Sequence, residues 1–130
     1  MNALLLVAAG GAIGAAGRYL TMELVGKAMG LGFPYGTLTV NILGSFFMGV
    51  LIAFLARHTL YNAAMSQDLR LFVAVGVLGG FTTFSTFSLD VITMFERGDI
   101  SNVVSYIIGS VTFSIAGLFG GMHLMRSILQ

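Results

Sequence analysis

The chain reads as an all-α integral membrane protein whose single subunit crosses the bilayer on four helices, the third of them broken mid-membrane. Of its 130 residues, 57% are apolar and 8% charged, and the mean hydropathy is +0.97. That leaves too little charge to cover a water-soluble domain of this size. The charges are also gathered, leaving uncharged stretches at 1–17, 28–56, 71–89 and 100–125. Each is close to or above the roughly 20 apolar residues that cross the hydrocarbon of a bilayer. The links between them are short, so residues 1–130 form a single four-helix membrane domain.

The first helix is expected at about 3–25. A signal peptide would need a basic leading region and an apolar core undiluted by glycine, and this stretch has neither, so the helix is read as retained. Gly10 and Gly14 make a GxxxG pair suited to close helix packing. The run from Gly10 to Gly17 is not a dinucleotide turn, because its spacing is not GxGxxG and no acidic residue follows about 20 positions on. Arg18 lies toward the end of this helix. Its guanidinium either snorkels to the interface or stands in a water-filled vestibule and draws anions toward a pore. Glu23 and Lys27 form an i,i+4 pair just beyond it.

The second helix, at about 36–56, follows Gly30, Gly32 and Pro34. It carries Thr37, Asn41 and Ser45 on one stripe at steps of four. An asparagine at this depth needs a partner: either it bonds another helix, or it offers NH₂ donors to a desolvated anion.

The link to the third helix is expected from Arg57 to Asp68, and the helix itself at about 69–95. Its segment Gly79-Gly80-Phe81-Thr82-Thr83-Phe84-Ser85-Thr86-Phe87-Ser88 has weak helix propensity. A break is expected there at the Gly79-Gly80 pair. Irregular backbone at bilayer depth is tolerated where it is buried in protein or lines a cavity, and its freed carbonyls are good ligands for a hard cation. Phenylalanines at 81, 84 and 87 and hydroxyls at 82, 85 and 88 form parallel stripes at spacing three. These either pack a helix interface or pass an anion along ring edges and hydroxyl donors.

The fourth helix, at about 101–126, follows Arg97-Gly98-Asp99. It carries Tyr106, Ser110 and Ser114 at steps of four, with Gly117 and Gly121 as a second GxxxG pair. Together the three donor-rich stripes outline a polar pathway for something small.

Several function classes are excluded by what the chain lacks. Without cysteine there is no disulfide scaffold, thiolate chemistry or cysteine-rich metal site. A net charge of +1 with no basic patch argues against nucleic acid. No carboxylate stands in the middle of a span, because Asp90 follows the phenylalanine stripe and the other acids lie at ends or links. Cation channels and proton-coupled pumps place carboxylates at depth, so the cargo is read as an anion. His58 and His123 lie near span ends without metal-binding spacing. No nucleophile and base set marks an enzyme.

Basic residues orient a membrane protein toward the cytoplasm. Arg57, Arg70 and Arg126 fall on one side, and Arg18, Lys27 and Arg97 on the other. This tie has two readings: a dual-topology chain that forms an antiparallel dimer, or a charge set too small to decide.

Four segments resemble the small fluoride channels called Fluc or CrcB. They are Gly10-Gly11-Ala12-Ile13-Gly14-Ala15-Ala16-Gly17-Arg18-Tyr19; Pro34-Tyr35-Gly36-Thr37-Leu38-Thr39-Val40-Asn41, running on to Gly44-Ser45-Phe46; the Gly79 to Ser88 run; and Tyr106, Ser110 and Ser114. The third is highly specific. The resemblance implies a passive fluoride-selective channel, which lets toxic fluoride leave the cell through its (inner) membrane. It also implies an antiparallel homodimer with two pores. By position, Phe84 and Phe87 would line the pores with Asn41 and a polar track of Ser85, Thr86, Tyr106, Ser110 and Ser114. The carbonyls of Gly79 and Thr82, one set per subunit, would hold a structural Na⁺ at the dimer centre, and Arg18 would be the vestibule arginine. Asp90 departs from the pattern, in which glutamate is more usual. The alternatives are a small four-helix proton-coupled multidrug exporter, which needs a membrane carboxylate in the first helix, and a non-transporting assembly subunit.

Overall fold

The computed structural model describes residues 2–58 and 63–130, apart from the side chain of His58. Four helical spans long and apolar enough to cross a membrane run Ala3–Met29, Tyr35–Arg57, Ala63–Glu96 and Ile100–Ile128. No strand occurs among the described residues.

Local signals set the ends of each helix. Helix α1 (Ala3–Met29) starts where the Asn2 side chain accepts the Leu4 N–H at 3.0 Å, a polar N-cap. It ends at Gly30, whose φ of 85° suits glycine and whose N–H returns to the Gly26 carbonyl. Helix α2 (Tyr35–His58) opens after Pro34, which needs no hydrogen bond from its missing N–H. The third span opens with α3 (Ala63–Leu69) and runs on through π-helical Arg70–Leu78 and the turn Gly79–Phe81. After two extended residues it resumes as α4 (Phe84–Glu96). Gly98, at φ 78°, closes α4 while the Asp99 N–H reaches the Met94 carbonyl at 3.1 Å. Helix α5 (Ile100–Ile128) then completes the chain.

Two glycine seams hold the helices together. A Cβ on Gly80 would stand 2.7 Å from the Gly11 carbonyl oxygen, and one on Gly76 would stand 2.8 Å from Gly10 Cα. A Cβ on Gly14 would collide with the Val77 carbonyl. Helix α1 therefore lies against the third span backbone to backbone. The second seam joins α2 and α5, where Gly49 meets the Leu118 carbonyl and Gly121 the Phe46 carbonyl. Both GxxxG pairs thus pack within the chain itself.

The structure corrects two expectations. Helix resumes at Ala63, so the link between the second and third spans is shorter than Arg57 to Asp68, and residues 59–62 within it lie outside the described residues. Gly79 and Gly80 are helical, and the break falls at Thr82 and Thr83. The bare face of Gly80 admits α1 instead of bending the chain.

Among described residues the core is compact. Phe87, Met94, Val103 and Tyr106 cluster between α4 and α5, with Phe33, Leu38 and Val91 against them. Large apolar side chains such as Leu5, Phe47, Phe113 and Phe119 face outward, as a lipid or subunit contact requires.

Candidate functional site

The break is built from backbone groups given to partners outside their own helix. Thr82 (φ −83°, ψ 160°) and Thr83 (φ −154°, ψ 117°) are both extended. The N–H and hydroxyl of Thr82 each donate to the Leu78 carbonyl at 3.0 Å, ending the first half of the span. The Thr83 N–H donates to Asn41 Oδ1 at 2.8 Å in place of the Gly79 carbonyl four residues back. Asn41 Nδ2 in turn donates to the Thr83 carbonyl at 3.0 Å. One amide side chain from α2 therefore clamps both polar groups of Thr83. Arg18 Nη1 donates to the Thr82 carbonyl at 3.1 Å.

Thr83 is also the N-cap of α4. Its hydroxyl accepts the Thr86 N–H at 3.1 Å, donates to Thr86 Oγ1 at 3.0 Å and lies 3.2 Å from Ser85 Oγ. The break leaves the Gly79 carbonyl without its usual amide donor. It also splits the phenylalanine triplet, because Phe81 stays upstream beside Gly17 and Gly44 while Phe84 and Phe87 ride on α4. Nor is the hydroxyl stripe a row of free donors. Thr82 and Ser88 both bond back to the carbonyl four residues earlier, the usual local choice of helical hydroxyls.

A groove of about 320 Å³ runs beside the break, between α2, α4 and α5. Asn41, Ser45, Thr83, Phe84, Phe87, Ser110 and Ser114 line it. Ser110 Oγ is buried and has no hydrogen-bond partner. A buried hydroxyl left in that state costs about 1–3 kcal/mol, so Ser110 is a donor available to a ligand in the groove. Phe87 is 9% exposed, whereas Phe84 is 77% exposed and forms an open flank of the groove.

Tyr106 stands at the far end. Its ring lies between those of Phe87 (centroids 5.2 Å apart) and Phe33 (5.4 Å, edge to face), and Phe84 stacks 5.3 Å from Phe87. The Tyr106 hydroxyl, flanked by Thr37 and Ser110, donates to Asp90 Oδ2 at 3.0 Å. Beyond it a second cavity of about 210 Å³ is lined by Thr37, Asp90 and Arg97 together with the Gly30–Pro34 loop.

Of the residues singled out from the sequence, Asn41, Phe84, Phe87, Ser110 and Ser114 meet in one groove. Ser85 and Thr86 serve the cap at Thr83, and Tyr106 with Asp90 leads to the second cavity. Lys27 and Glu23 pair at the exposed end of α1. Sequence reasoning passes over three participants: Thr83, Arg97 and Gly44. The bare Gly44 receives the Thr82 methyl group, and its position one turn after Asn41 is a signal for it. Among the described residues no three His, Cys, Asp or Glu side chains gather as a metal site. A cation at this break would be held by main-chain oxygens.

The chain is similar to known proteins over nearly its whole length. The profile of a family described as "CrcB-like protein, Camphor Resistance (CrcB)" matches residues 5–122. A protein of Chelativorans sp. (strain BNC1) named "Fluoride-specific ion channel FluC" is 52% identical over 129 residues, covering 99% of this chain and 100% of its own. Proteins of the same name from Rhodospirillum centenum (50%, covering 98% of each chain) and Agrobacterium fabrum (49%, covering 95% of each) are similar as well.

Proposed function

The chain belongs to the CrcB family, and from that membership and the groove we propose that it is a passive channel selective for fluoride, carrying the ion out of the cell down its electrochemical gradient. The observation that carries the reading is the Ser110 hydroxyl, buried and unpartnered on the wall of the groove. Fluoride holds its water tightly, so a pore must replace that water with donors. Ser110 offers one, and Asn41 keeps a second amide hydrogen after bonding Thr83. The rings of Phe84 and Phe87 supply positive edges between them. Among the described residues no carboxylate lines the groove to repel an anion. Asp90 stands beyond it, held by Tyr106, where the ion would leave or enter the Arg97 cavity.

Phe84 leaves the groove open on one flank, which a second copy of the chain would close. The even split of basic residues suits a copy inserted the other way up, giving an antiparallel homodimer with two pores in the inner membrane. The main-chain oxygens at the break also suit a structural Na⁺. The Gly79 carbonyl lacks its amide donor and the Thr82 carbonyl faces Arg18 from α1, so two subunits together would offer four hard oxygen ligands. Bound there, the ion supplies fixed positive charge near the fluoride path.

A bacterial strain unable to expel fluoride tests the function in cells. Expression of this chain is expected to restore growth on fluoride medium, and a strain that stays as sensitive as the vector control, with the protein present in its membrane, contradicts the proposal.

A further inference from the structure

We propose that Arg18 sets the affinity of the sodium site, because its guanidinium and the ion draw on one acceptor, the Thr82 carbonyl oxygen. The inference rests on the sodium reading above. Arg18 Nη1 already donates to that oxygen at 3.1 Å. A cation on the same atom would therefore stand beside a permanent positive charge, in surroundings where charges are poorly screened.

Losing Arg18 has two opposed effects, repulsion relieved and a hydrogen bond lost, and the geometry decides between them. If Arg18 held the carbonyl in place, its removal would loosen the ligand and weaken sodium binding. The Thr82 carbonyl, however, shares its peptide plane with the Thr83 N–H, which Asn41 Oδ1 holds at 2.8 Å. Thr82 is pinned again by two bonds to the Leu78 carbonyl, and its methyl group seats against Gly44. The orientation of this carbonyl is thus fixed without Arg18. What Arg18 adds is charge and a claim on one lone pair, and both oppose a cation. Sodium is then held less tightly than the carbonyls alone would hold it, because of a residue on α1, outside the broken span that supplies the ligands.

Thermal unfolding of the full-length protein in detergent measures this directly. Sodium chloride is titrated at constant ionic strength against N-methylglucamine chloride, and the sodium concentration giving half of the stabilisation is read. Arg18→Gln is expected to lower that concentration about tenfold or more, whereas Arg18→Lys, which keeps the charge, stays within about threefold of wild type. Arg18→Met, which keeps the apolar stem, reads the same shift if the Gln variant does not fold. Equal or weaker sodium affinity in the uncharged variants, with the wild type stabilised by sodium, overturns this inference alone. A wild type with no sodium-dependent stabilisation overturns the sodium reading and this inference together.

Discussion

Asn41 and Ser110 face the same groove in opposite states. Asn41 gives its carbonyl and one amide hydrogen to the backbone of Thr83, so it positions the break first and offers a donor second. Ser110, beside the Tyr106 hydroxyl, makes no hydrogen bond of ordinary geometry. This separates stability from transport. Ser110→Ala removes a buried unpaired hydroxyl and is expected to leave thermal stability unchanged or raise it by up to about 1 kcal/mol. Fluoride flux through the same variant is expected to fall about tenfold, the equivalent of one lost hydrogen bond of about 1.4 kcal/mol in the path. Stability and flux measured on one preparation check both halves, and full flux in a folded Ser110→Ala protein would remove Ser110 from the path. The stripe of Tyr106, Ser110 and Ser114 is legible because helical spacing is local. The occupied state of Asn41 is not, since its partner lies 42 positions away.

Within the third span, the feature that propensity reads best is also the one it places wrongly. Weak helix formers between 79 and 88 signal a break, but propensity counts glycine as a breaker wherever it stands. Here Gly76 and Gly80 are helical because Gly10 and Gly11 of α1 press onto them, a tertiary contact no local rule contains. The break moves to Thr82 and Thr83, where Asn41 and the Thr83 cap supply the missing bonds. The long π-helical stretch before it, Arg70–Leu78, has no counterpart in the sequence pattern. The glycine seam yields its own contrast. Gly14→Ala brings a methyl group onto the Val77 backbone and is expected to destabilise the subunit by about 1–3 kcal/mol. At Gly11 a Cβ meets nothing within 4 Å, and Gly11→Ala is expected to be neutral or slightly stabilising. Thermal midpoints of the two variants compared side by side test the seam, and equal midpoints would contradict it.

For the molecule as a whole, the four spans are legible in the sequence because charge punctuates them, and the boundaries differ from expectation mainly where helix continues past a charge, as at Lys27 and Asp68. The orientation of the chain in the bilayer is less legible, because three basic residues on each side favour neither orientation. A proton-coupled exporter remains poorly matched: Glu23, the acid of the first helix, sits at its exposed end paired with Lys27. The proposed anion path rests on the groove lined by Ser110, Phe84 and Phe87, and its selectivity is the central claim. The direct measurement is efflux from liposomes holding the purified protein, followed with a fluoride electrode and repeated with chloride under the same gradient. Rapid fluoride loss with little chloride loss is the predicted result; equal loss of the two ions, or none through folded protein, would contradict it.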